Sequence, residues 1–271
     1  MTVDAAIRDA LLTADPRAKA MRTRQVARDW RLGRSAWPAG EWAAMPDRPA
    51  RPARPELMTP GQMPRRGKAG SARSLVALWH AIAHIEFVAI DLALDMAGRF
   101  GPAIAAQLGE AHARRFLGDF LKVAADEAMH YALIERHLAT LGSHYGALPA
   151  HDGLWDAAAA TMHDAAARLA VVPMVLEARA LDITPQTRAR VAAAGDLRGA
   201  RLLDRILEDE IDHVAIGARH FRAICDESHQ DVDFAWNFLV ARHFRGTLKP
   251  PFNDSARQRA GLPRRNEPSL A

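Results

Sequence analysis

Cysteine is nearly absent: Cys225 stands alone in 271 residues. That excludes an internal disulfide framework and points to a reducing compartment. Phe221 and Ile224 share its stretch, which marks it as a buried structural thiol rather than a nucleophile. Aromatic residues make up 6% of the chain, and β-branched residues are sparse, so little in the composition favours sheet. Abundant alanine favours an all-α fold. No uninterrupted apolar run approaches the roughly 20 residues that span a bilayer. The N-terminus also lacks the apolar core segment of a signal peptide. The expectation is a soluble, cytoplasmic protein with no membrane partner.

Charge is present but uneven. The net charge is +4, yet residues 1–70 carry +7 and the remainder −3. A basic arm therefore precedes a mildly acidic helical body. Residues 4–31 read as one amphipathic helix. A Pro-rich passage from Pro38 to Pro64 follows, whose spacing forbids helix and favours an extended course. Because its arginines alternate with prolines, it reads as a strap across the helices, with Trp37 and Trp42 as anchors, and not as a nucleic-acid contact.

Helices are expected from Ser71 to Arg99, stopped by Gly98 and Gly101-Pro102, and from Pro102 or Ala111 to Leu141. A third should run from Asp152 to Leu181 with a kink at Pro173. Thr184-Pro185 reads as the start of a short helix ending near Gly195. The last two should cover Leu197 to Asp226 and Val232 to Phe244, before a basic Pro/Arg tail. The expected organisation is an arm over 1–70, a helical bundle over 71–226, and a C-terminal helix and tail over 227–271.

Against this background one motif recurs. Asp126-Glu127-Ala128-Met129-His130 is echoed by Asp209-Glu210-Ile211-Asp212-His213, and no other Glu is followed by His three residues on. Glu and His at i, i+3 share a helix face and can offer an oxygen and a nitrogen to one metal ion. Glu86 and Glu177 lie on similar apolar stripes. Four bare carboxylates would be costly to bury, so a cation is expected among them. The order Glu, Glu-x-x-His, Glu, Glu-x-x-His is that of ferritin-like di-iron and di-manganese carboxylate bundles. His80 and His84 read as core histidines near this site. Asp91 and Asp95 read as helix-face acids or partners for arginines such as Arg179.

Several stretches resemble the ferritin-like family catalogued as domain of unknown function 455. They are His80-Ala81-Ile82-Ala83-His84-Ile85-Glu86, Leu176-Glu177-Ala178-Arg179, His213-Val214-Ala215-Ile216-Gly217, the Pro-Asp-Arg-Pro-Ala-Arg-Pro passage, Gly153-Leu154-Trp155 and Pro251-Phe252-Asn253. The resemblance implies a ferritin-like four-helix bundle with extra helices and an extended N-terminal arm. By analogy with ferritin-like di-iron proteins, Glu86 and His130 would hold one iron, Glu177 and His213 the other, with Glu127 and Glu210 bridging. Asp126 would accept the free ring N–H of His213, and Asp209 that of His130.

The implied cofactor is two iron ions, with manganese or a mixed iron–manganese pair as the alternative. The expected activity is O2-dependent oxidation or hydroxylation of an organic substrate, served by a small-molecule substrate and an electron donor. A homodimer is compatible with the sequence. The alternatives are a ferroxidase or metal-handling protein, a tRNA-modifying hydroxylase, and a non-catalytic helical module.

Overall fold

Aspartate and asparagine set where half of the described α-helices begin. In the computed structural model, which describes residues 1–63 and 71–262, α2 (Pro16–Arg31) starts behind Asp15, whose side chain accepts the Ala18 N–H at 2.8 Å. The same device opens α6 (Ala165–Val171) at Asp164, α8 (Leu197–Glu227) at Asp196, α9 (Val232–His243) at Asp231 and α10 (Asp254–Arg259) at Asn253. Each cap satisfies a backbone N–H that has no partner inside the helix. The cap at Asp15, with Pro16 behind it, divides the expected 4–31 helix into α1 (Val3–Leu11) and α2.

The fold is all-α, with no strand among the described residues. The end of the arm, 64–70, and the basic tail beyond 262 lie outside the described residues. The chain gathers into two compact units. The first comprises Met1–Pro102, Arg114–Trp155 and Ala193–Gly195; the second comprises Ala103–Ala113, Asp156–Ala192 and Asp196–Ala271.

α3 (Ala72–Leu108) and α4 (Glu110–Thr140) form a hairpin turned at Gly109, whose φ of +82° suits a residue without a side chain. α3 runs straight through Gly98, Gly101 and Pro102, where the sequence suggested a stop. The glycines serve close approach. A Cβ at Gly98 would lie 2.5 Å from Met45 Sδ, and one at Gly101 2.9 Å from Trp42 Cζ2. Pro102 cannot donate to the carbonyl of Gly98, and Trp42 Nε1 donates to that oxygen instead, at 2.7 Å. α3 is long and apolar enough to cross a membrane by length and composition, but 61% of its apolar window is buried within the protein, as in a core helix.

The expected third helix is in fact four segments. α5 (Gly153–Ala159) ends before the Asp164 cap, and α6 then passes into a π-helix over Val172–Glu177 and on into α7 (Ala178–Ala193). Thr184-Pro185 opens no helix, because α7 continues through it. Here too the freed carbonyl, that of Leu181, has a distant donor: Asn253 Nδ2 at 3.1 Å. α7 and α8 turn at Gly195, with φ +87°.

Each unit has an extended segment held by a buried ion pair. In the first, Lys19 Nζ meets Asp91 at 2.6 Å and donates to the carbonyl of Ala50, while Arg51 meets the same aspartate at 2.8 Å. In the second, Arg257 grips Asp182 with two hydrogen bonds of 2.8 Å. Asp91 is therefore a partner of Lys19 and Arg51, and Asp95 of Arg99 at 2.8 Å. Arg179 instead reaches backbone carbonyls of the C-terminal segment. Burial pushes the Asp91 carboxyl up and the Lys19 ammonium down, and their mutual attraction opposes both shifts. Cys225 is buried, its thiol pushed up to about 11 by desolvation.

Candidate metal centre

In the first unit, Glu86 stands on α3 and Glu127 and His130 on α4. All three are buried. His130 Nδ1 lies 3.2 Å from Glu86 Oε2 and 3.6 Å from Glu127 Oε2. Each of the three offers one ligand atom, and these atoms lie within 4.8 Å of one another. Two carboxylate oxygens and an imidazole nitrogen, converging in a site closed to water, form a donor set suited to iron, manganese or zinc. The cost of burying the two charges gives a cation its reason to bind there.

In the second unit, Glu210 and His213 repeat the geometry of the α4 pair. His213 Nδ1 lies 3.5 Å from Glu210 Oε2, and both residues are buried. Glu177, half-buried, is the last residue of the π-helix. Its register against α8 follows from two contacts. Arg188 meets Asp204 at 3.1 Å, and a Cβ added at Gly217 would lie 2.4 Å from Pro173 Cβ. Moving back along the chain from 188 to 173 moves forward along α8 from 204 to 217, so the two segments are antiparallel. Position 177 then lies opposite position 213. Pro173 marks the start of the π-helix, where Ala178 N–H bonds back five residues to the carbonyl of Pro173. Such segments are frequent at functional sites.

Asp126 is half-buried and accepts from Lys122 at 2.8 Å; Asp209 is half-buried on α8. His80 and His84 hold the loop after α4. The N–H groups of Gly146 and Leu148 donate to His80 Nε2 at 2.9 and 3.3 Å. His84 Nε2 faces the carbonyl of His151 at 3.1 Å, and a carbonyl can only accept, so Nε2 carries the proton. Nδ1 is then bare and accepts from the Tyr145 hydroxyl at 2.9 Å. Burial lowers both imidazoles to about 4, with His144 adding to the shift at His80 and Arg51 at His84.

The structure also reveals Tyr145 and Arg51 beside this region, which sequence reasoning missed. Phe87, next to Glu86, lies 5.4 Å from the Tyr145 ring and 5.4 Å from the Arg51 guanidinium. The available signal was Asp91. It is five residues beyond Glu86 with apolar neighbours on both sides, so it required a buried cation.

A family model described as "Protein of unknown function (DUF455)" matches residues 12–266. An uncharacterized protein of Haemophilus influenzae is 42% identical over 211 residues, covering 78% of this chain and 72% of its own length. No solved structure matches.

Proposed function

Because the chain belongs to the family described as Protein of unknown function (DUF455), whose description assigns no reaction, we propose a function from the site itself. The protein is a non-haem di-iron carboxylate protein of ferritin-like architecture that uses O2 to oxidise or hydroxylate an organic substrate. The observation that supports it most is the matched pair of helices: Glu127 and His130, like Glu210 and His213, present a carboxylate oxygen and Nδ1 at 3.6 and 3.5 Å. In this reading Glu86, Glu127 and His130 of the first unit and Glu177, Glu210 and His213 of the second are the metal ligands, and Glu127 and Glu210 would be the carboxylates able to serve two ions.

Bound iron supplies the capacity to bind O2 and to pass electrons to it. The chain's own groups position and shield it. Five of the six residues are buried, so bulk water is kept from the site. Asp126 and Asp209, each one residue before a ligand Glu, would accept the free ring N–H of a metal-bound His, which would fix its tautomer and strengthen the ligand. The half-buried Glu177 is the carboxylate with most room to move, and it marks the side on which a substrate would approach.

The test is elemental analysis of protein loaded anaerobically with ferrous iron. About two ions per chain are expected, and a chain that takes up none sinks the reading. Exposure of that protein to O2 with excess ferrous iron then separates it from a ferroxidase. We expect about two irons oxidised per chain and then a stall, whereas continued turnover into a ferric mineral would identify iron itself as the substrate.

A further inference from the structure

Six cations lie on α2, and they divide into two sets. Arg17 reaches Glu135 at 2.9 Å, Lys19 reaches Asp91 at 2.6 Å, and Arg22 pairs with Asp9. Arg24, Arg28 and Arg31 have no ion-pair partner among the described residues. All three are exposed, and all three line one cleft. Their spacing of i, i+4, i+7 stacks them on a single helix face over about 10 Å. Like charges at that spacing repel each other, so the run does not support the helix.

The cleft argues against a merely solvated face. It is built by two helices, α2 and α4, and has a volume of about 600 Å³, which is the size of a small-ligand site. Met21 and Met129 supply its apolar surface. Asp126 also lines it, but that charge is met by Lys122 at 2.8 Å. Asp29 faces Arg34 at 3.9 Å. The three arginines therefore keep their charge for something outside the chain.

We propose that this cleft binds a small polyanion, an organic ligand bearing two or more phosphoryl or carboxylate groups, held by Arg24, Arg28 and Arg31. Guanidinium groups match such oxyanions with paired hydrogen bonds. The two methionines offer adaptable contact to the organic part. A nucleic acid is disfavoured because Arg17 and Arg22, on the same helix, are already neutralised, which leaves no continuous basic track. The site lies on the face of α4 beside Glu127 and His130, and binding there requires no metal.

The experiment is calorimetric titration of the full chain, at low ionic strength, with inorganic pyrophosphate and with citrate. At least one should bind, and the tighter of the two decides between phosphoryl and carboxylate chemistry. Arg28→Ala should weaken binding about threefold to fivefold, as expected for an exposed charge contact. The combined Arg24→Ala, Arg28→Ala, Arg31→Ala variant should abolish it. Arg17→Ala and Arg22→Ala, which remove cations that are already paired, should leave it unchanged. Should the combined variant fail to fold, Arg28→Ala with an unchanged melting temperature decides alone. Binding of neither anion, equal loss on removing Arg17 or Arg22, or tighter binding of a tRNA that depends on all five arginines would overturn the proposal.

Discussion

The two helical hairpins carry the same pattern of Glu followed by Glu-x-x-His, and they reach it by different routes. In the first, α3 and α4 are unbroken, and Glu86 meets His130 at 3.2 Å. In the second, the segment leading to Glu177 is interrupted before Asp164 and widens into a π-helix, and α7 beyond it carries Pro185 in its interior. Yet Glu177 and His213 stand 18 residues to either side of the Gly195 turn, opposite each other in register. Regular helix is thus not what places a carboxylate opposite its partner position. Register from the turn does so, and irregularity is tolerated where a distant segment repairs the backbone. Trp42 makes that repair for α3 and Asn253 for α7.

The comparison is most strongly tested by the buried pairs. Asp91→Ala strands Lys19 and Arg51, and Asp182→Ala strands Arg257. Each should cost about 3–5 kcal/mol, the usual penalty for leaving a buried charge unpaired. Denaturant titration showing a large loss for one and almost none for the other would mean that the two latches are not equivalent.

Gly217→Ala comes next. Its new methyl would strike the rigid ring of Pro173 and cost about 1–3 kcal/mol as an overpacked contact. It should also loosen metal retention if Glu177 is a ligand. A variant with wild-type melting temperature and wild-type metal content would detach the π-helix from the site.

Titration should separate the units as well. His80 is neutral in the fold, lowered to about 4, while the unfolded chain takes up a proton near 6.5. The unfolded state therefore binds more protons between these values. Stability is complete above about pH 6.5 and is lost as pH falls toward 4, by about 3 kcal/mol from this residue. In the second unit the comparable buried fastener is Arg168, which donates to Thr161 and to the carbonyl of Ala158 and stays charged throughout. His80→Gln should flatten the acid limb of the stability profile; an unchanged limb would show that another group sets it.

The smallest effect is expected from the repairs themselves. Trp42→Phe removes one donor from a proline-freed carbonyl and should cost about 1 kcal/mol, while Asn253→Ala, which also takes the cap from α10, should cost about 2 kcal/mol, each read as a fall in melting temperature. No change in either would mean that water replaces the side chain.

Much of the architecture could be read locally. The spans of α8 and α9 and the end of α4 came out within a residue or two of their caps and stops, and α4 begins at the later of the two starts that the sequence offered. The two Glu-x-x-His pairs have the geometry that their spacing dictates. What misled were Gly98, Gly101, Pro102 and Pro185, all strong breakers by local rule. Whether they break a helix depended on Trp42 and Asn253, 60 and 68 residues away from the prolines they serve. The Lys19, Asp91 and Arg51 cluster was hidden for the same reason: its members are distant in sequence, and only packing unites them.

The π-helix over Val172–Glu177 has a consequence for the azimuth of Glu177. A widened turn is one residue more than an α-helical path between the same two ends requires. Drawing these same residues into α-helical pitch, with Pro173 still seated against Gly217, would carry Glu177 about one residue's turn past its place. Each residue of α-helix advances the side-chain direction by about 100°, so the carboxylate would swing by that angle away from position 213. One residue's worth of slack therefore separates a helix that points an acid into the interior from one that points it elsewhere.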